Sequence, residues 1–123
     1  MSSIGVATNL GDIVTVLPSD DVTVTFSKVT KKGFTTVKKP ATGPPPPTGQ
    51  KILTYYDIQT TAVHSPPIEI RIHLSSVPET PSPRLWRWYP TTGWKDITKR
   101  FNRQSHLLVG ETPDRLQSMF GVT

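Results

Sequence analysis

Tyr55–Leu74, YYDIQTTAVHSPPIEIRIHL, decides the reading of this chain. It reads as two extended segments meeting at a tight Ser65-Pro66-Pro67 turn. In the first, Tyr56, Ile58, Thr60 and Ala62 fall on one face, and Tyr55, Asp57, Gln59, Thr61 and Val63 on the other. In the second, Ile68, Ile70, Ile72 and Leu74 alternate with Glu69, Arg71 and His73. Side chains of a strand point to opposite faces with period two, so the aliphatics form one buried stripe. β-Branched residues suit such a half-buried pleated surface. The stretch therefore predicts a central β-hairpin, which needs further strands to cover its apolar face.

The rest of the chain supplies them. Asp12–Leu17 and Asp21–Ser27 predict two strands around a Pro18-Ser19-Asp20 turn, with Val22, Val24 and Phe26 facing inward. A turn at Thr30–Gly33 leads to a third strand, Phe34–Lys39. Beyond the central stretch, Arg84–Tyr89, Trp94–Thr98, Leu107–Val109 and Met119–Val122 read as short strands. Lys99–Ser105 reads as a polar basic connection, and Glu111–Gln117 as a helical turn with Thr112 at its N-cap and Pro113 in the first position. Seven to nine short strands separated by turn signals predict one all-β, immunoglobulin-like antiparallel β-sandwich over residues 12–123. Residues 1–11 read as an N-terminal arm.

Residues 41–50, ATGPPPPTGQ, are the one low-complexity segment. Consecutive prolines favour polyproline II and do not donate to a sheet ladder. The segment reads as a stiff connection over the surface, with a docking ligand for a proline-reading domain as the other use of such a run.

Composition sets the bounds. The 123 residues suffice for one domain and one core. With 13 prolines and 34% hydrophobic residues, part of the chain is loop rather than packed interior. No cysteine is present, which removes disulfides, thiolate nucleophiles and cysteine metal sites. No apolar run approaches the roughly 20 residues of a membrane-spanning helix, and Met1–Val14 lacks the basic start and apolar core of a signal peptide. The net charge of +5 favours acidic partners in encounter and solubility, without bearing on fold.

Taken in order, GDIVTVLPSDDVTVTFSKVTKKGFTTV, TGPPPP, YYDIQTTAVHSPPIEIRI, LWRWYPTTGWKDIT and LLVGET resemble a β-sandwich module. That module recurs in large bacterial and archaeal cell-surface and secreted proteins, with patterns such as VTVTFSxVTxxGxTTV, YYDITTTA and GxWxDxT. The likeness spans about Thr8–Phe120. It implies the sandwich fold and an accessory or structural role, with no catalytic residue to carry over. The family often has cysteines at the positions held here by Arg71 and Val109, so the cross-link of the family is absent. The implied setting is an extracellular surface or a virion exterior.

Chemistry-bearing residues are few. His64, His73 and Asp57 could in principle gather a metal, but their spacing matches no ligand motif, and solvated histidines are the plainer account. Asp57 and Glu69, facing across the hairpin, are the nearest approach to a carboxylate pair; Asp96 reads as bonding a neighbouring turn. No nucleophile elbow or phosphate loop occurs. The chain is read as non-enzymatic and without cofactor. Trp86, Trp88, Tyr89 and Trp94 are the most informative cluster, with Arg84, Arg87 and Lys95 among them. They read as core, a protein contact or a platform for sugar rings. The basic groups, which also include Lys99, Arg100 and Arg103, suit an anionic partner, without a motif for specific nucleic-acid binding. The expected function is a structural or interaction module that self-associates or joins a larger assembly, with a carbohydrate-binding module as the alternative.

Overall fold

The computed structural model describes residues 6–19, 21–46, 49, 52–74, 83–113 and 117–123. These residues hold eleven strands and no helix: β1 Val6–Thr8, β2 Gly11–Ser19, β3 Val22–Lys31, β4 Gly33–Lys38, β5 Thr54–Thr60, β6 Val63–His73, β7 Leu85–Tyr89, β8 Gly93–Asp96, β9 Thr98–Asn102, β10 Leu107–Thr112 and β11 Gln117–Val122. One sheet has six strands in the order β1-β4-β5-β11-β7-β8, the other five in the order β2-β3-β6-β10-β9. All neighbouring strands are antiparallel. The fold is thus the expected all-β antiparallel sandwich of immunoglobulin-like class.

The inner faces follow the alternation in the sequence. Val22, Val24 and Phe26 from β3, Ile68, Ile70 and Ile72 from β6, and Leu108 from β10 line one side. Tyr56, Ile58, Leu85, Phe120 and Val122 line the other. Burying each such aliphatic or phenyl side chain contributes about 1.5–3 kcal/mol.

Tyr55–Leu74 is not a hairpin. β5 lies in the six-stranded sheet and β6 in the five-stranded one, so the chain bends at Thr61-Ala62 and crosses the sandwich. The bend is pinned to β4: Thr61 N donates to Phe34 O at 2.9 Å, and Phe34 N to Thr61 Oγ1 at 2.9 Å. Gly33 permits this approach, because a Cβ there would stand 2.4 Å from Ala62 N. Ser65-Pro66-Pro67, expected as the turn, lies inside β6. Phe26 pairs with Ile68 and Lys28 with Ser65, leaving the two prolines opposite Ser27 alone. A bulge leaves a residue unpaired, which suits residues without an N–H. Ser27 Oγ donates to the Pro67 carbonyl at 2.6 Å.

Four further expectations change. Val6–Thr8, placed in the arm, pair with β4 as an edge strand; residues 1–5 lie outside the described residues. Lys99–Ser105 is not simply a connection, since β9 runs to Asn102 and pairs with β10. A solvated edge strand of Lys, Arg and Asn shows no apolar alternation to reveal it. Thr112 caps no helix: it is a buried residue at the end of β10. Residues 114–116 of that expected turn, like residues 77–82 of the proline-rich stretch Val77–Pro83 that the sequence reads as a loop, lie outside the described residues. Finally, Trp94–Thr98 divides at Ile97, which is buried and bonds both sheets: its N donates to Leu85 O at 2.9 Å, and its O accepts from Glu111 N at 3.0 Å.

Candidate functional site: an aromatic outer face

β7 alternates about the sheet plane. Leu85 and Arg87 point into the sandwich, Trp86 and Trp88 outward. β8 places Trp94 beside Trp88 and Asp96 beside Trp86, also outward. On the next strands in that row, Gly121 pairs with Trp86 on one side and with Tyr55 on the other. A glycine between two large rings leaves a trough. Ile52 and the Trp94 indole fill it: a Cβ on Gly121 would meet Ile52 Cδ1 at 2.8 Å and the Trp94 ring at 3.4 Å. The Trp88 and Trp94 rings meet edge-on with centroids 5.4 Å apart, and Tyr55 and Trp94 are tilted at 6.3 Å. Both separations lie in the range in which aromatic pairs attract.

The proline-rich loop lies on this face. Tyr55 Oη donates to the Pro44 carbonyl at 2.8 Å, and the Trp94 indole N–H donates to the Pro45 carbonyl. Gly43 sits against the Tyr55 ring, where a Cβ would come within 2.6 Å. Trp86 is anchored separately, its Nε1 donating to Thr123 Oγ1 at 3.0 Å. All three tryptophans are half-buried. Sequence reasoning brought Trp86, Trp88 and Trp94 together but missed Tyr55, Ile52, Gly121 and Gly43–Pro45. Only the sheet order puts β11 beside β7 and β5 on the far side of β11.

The other candidate residues separate. Arg87 is interior: it is 5% exposed, its Nη1 donates to Thr112 Oγ1 at 2.6 Å, and its guanidinium lies over the Phe120 and Tyr89 rings at 5.6 and 5.1 Å. It presents no charge to a partner. Tyr89 is the ring on which it stacks. Arg84 is exposed and pairs with Asp96 at 3.5 Å, while Asp96 Oδ1 accepts from Thr98 N at 2.9 Å. Lys95 is exposed on β8.

Arg84, Lys99, Arg100 and Arg103 surround a shallow cavity of about 300 Å³ with Pro83, Thr98 and Phe101. Lys99 is shared by Glu69 at 3.6 Å and Glu111 at 3.3 Å. Burial pushes the Glu69 carboxyl up, but the Arg71 hydrogen bond and the charges of Arg71 and Lys99 outweigh it and hold the group below its ordinary range.

The metal and carboxylate groupings weighed from the sequence do not come together among the described residues. Asp57 and Glu69 stand on the outward faces of opposite sheets, because β5 and β6 do. His64 packs on Phe26 near one end of β6, while His73, at the other end, stacks with His106. Among the described residues no group of three His, Cys, Asp or Glu gathers, and no helix is long and apolar enough to cross a membrane.

No protein-family model matches the chain, and no curated protein or solved structure matches it either.

Proposed function

We propose that this domain is a non-enzymatic interaction module that joins or builds a larger assembly, such as a surface layer, a filament or a virion exterior. One observation carries the reading. Ile13 is 75% exposed and has a left-handed φ of 53° on β2, the end strand of its sheet among the described residues. A β-branched residue in that conformation is strained, and exposing it to water gains nothing for the isolated domain. Strain of this kind, kept on a surface, points to a use of the surface. Leu10 and Leu17 flank it at 60% and 56% exposure. Pro18 and the left-handed Ile13 interrupt the ladder, so β2 offers side chains rather than a template for strand addition. The resemblance to surface-protein modules supports the same role.

The occupant of this edge is a second subunit of the chain. Gly11–Ser19 carries only Asp12 as a charged residue, and Lys28 of β3 stands opposite it in the ladder, so the strand itself adds little net charge to such a contact. Light scattering over a concentration series tests this. A discrete multimer that Leu17→Lys returns to monomer is expected. A strict monomer at high concentration would overturn self-association.

A carbohydrate-binding module is the second reading, favoured by Trp86, Trp88 and Trp94 sharing one outer face. It ranks behind because the chain's own loop covers part of that face. Retention on insoluble polysaccharide, lost in Trp88→Ala and indifferent to salt, would reverse the ranking.

A further inference from the structure

The loop over the aromatic face makes the contacts by which proline-rich peptides are recognised. Grooves that read polyproline II are lined by aromatic rings, and the bound segment is already extended and loses little entropy on docking. Proline carbonyls have no internal partner in that conformation, so ring-borne donors can reach them. Here the Tyr55 hydroxyl takes the carbonyl of Pro44 and the Trp94 indole that of the next residue, Pro45. Gly43 lets the backbone lie flat on the Tyr55 ring. Trp88 and Ile52 flank the Trp94 ring, and Gly121 forms the floor beneath it.

We propose that the outer face of the six-stranded sheet is a receptor for a polyproline II segment, filled in cis by this chain's Gly43–Pro45 and in trans by the same loop of a second copy. The receptor residues Tyr55, Trp88 and Trp94 belong to the folded sheets, whereas the ligand belongs to a connection between β4 and β5. The cis loop is tethered at both ends, so its local concentration is high and it excludes a free peptide until displaced. Exchange of loops between copies then links them without building a new surface. This face is distinct from the β2 edge, and peptide binding reads it whatever the oligomeric state, whereas Leu17→Lys reads the β2 contact and leaves the aromatic face intact, so the two proposals fail separately.

The test is a synthetic peptide of residues 41–50, ATGPPPPTGQ, added to the full chain and to two variants with the groove emptied. Gly43→Ala places a methyl where the Tyr55 ring stands and so lifts the loop with one surface change. Pro44→Gly/Pro45→Ser/Pro46→Gly removes the prolines that favour polyproline II and keeps the loop length. Circular dichroism and thermal melting establish that each variant folds; tryptophan fluorescence and calorimetry read binding. Emission of the variants should shift to the red, and the peptide should reverse the shift saturably, binding at least about ten-fold more tightly than it does to the unaltered chain. Adding Trp94→Phe to either variant should weaken the peptide by about ten-fold, the usual worth of one hydrogen bond with its partner left unmet. Folded variants that ignore the peptide, or that bind ATGAAAATGQ equally well, overturn the proposal. If the triple variant does not fold, Gly43→Ala decides alone.

Discussion

Ile13 shows how one residue can work against the domain that carries it. Left-handed backbone costs an L-residue about 1–2 kcal/mol, and asparagine tolerates it better than a β-branched side chain. Ile13→Asn should therefore stabilise the isolated domain by about 1 kcal/mol, read as a higher melting temperature, while weakening association. A variant that melts lower would mean that Ile13 contributes packing its exposure does not suggest. Tyr56 makes a second case. Burial, then the negative charge of Asp21 and its hydrogen bond at 3.4 Å, push the phenol well above its ordinary value of 10.0. The folded state holds the proton more tightly than the unfolded chain, so this stability is complete below pH about 10 and is lost as pH rises further. Melting temperature should fall through the alkaline range, and Tyr56→Phe should flatten that fall. Glu69 has the opposite sign: its stabilisation is present above its ordinary value of 4.5 and is lost as pH falls through its lower folded value. The ion pairs around it are partly exposed, and salt screens them.

The strand elements were legible because alternation is local. Val22, Val24 and Phe26, or Ile68, Ile70 and Ile72, announce a buried face without reference to anything else. Alternation also put Arg87 on the face of Leu85, and the structure keeps it there; charge alone argued for the outside. What alternation does not encode is which sheet a strand joins. A hairpin and a crossing between sheets share the same period-two pattern, and two prolines signal a bulge as readily as a turn, so β5 and β6 read as partners. The glycines at the crossings hold the information that was missing. At Gly33 a Cβ would strike backbone at 2.4 and 2.6 Å, whereas at Gly110 the nearest atom is the end of the Leu85 side chain at 2.6 Å and the nearest backbone atom, Ile97 O, stands off at 3.1 Å. Backbone cannot rotate away and a leucine can. Gly33→Ala should therefore cost about 3 kcal/mol and Gly110→Ala about 1–2 kcal/mol, measured by chemical denaturation. Equal costs would show that the Thr61-Ala62 bend yields more easily than its hydrogen bonds to Phe34 imply.

Over the whole molecule, the two sides of the sandwich differ in character. Leu10, Ile13, Leu17 and Phe34 are exposed along β2, β4 and the turn before β2, where the two sheets end in β1 and β2. The opposite side ends in β8 and β9, with Lys95, Lys99, Arg100 and Arg103 exposed. A chain of net charge +5 repels its copies at long range, whatever surface they finally use. Salt shortens the reach of that repulsion to about 10 Å at 0.1 M and leaves apolar contact intact. Association through the β2 side should thus strengthen, or hold constant, as salt rises from about 0.02 to 0.5 M. Capture of an anionic polymer by the β9 side should weaken steeply over the same range, because each phosphate or sulfate contact releases a condensed counterion. Sedimentation velocity of the chain alone, repeated with a polyanion such as heparin, separates the two. If self-association dissolves in salt, the copies are held by charge pairs that include the β9 side, and the apolar edge is not the contact.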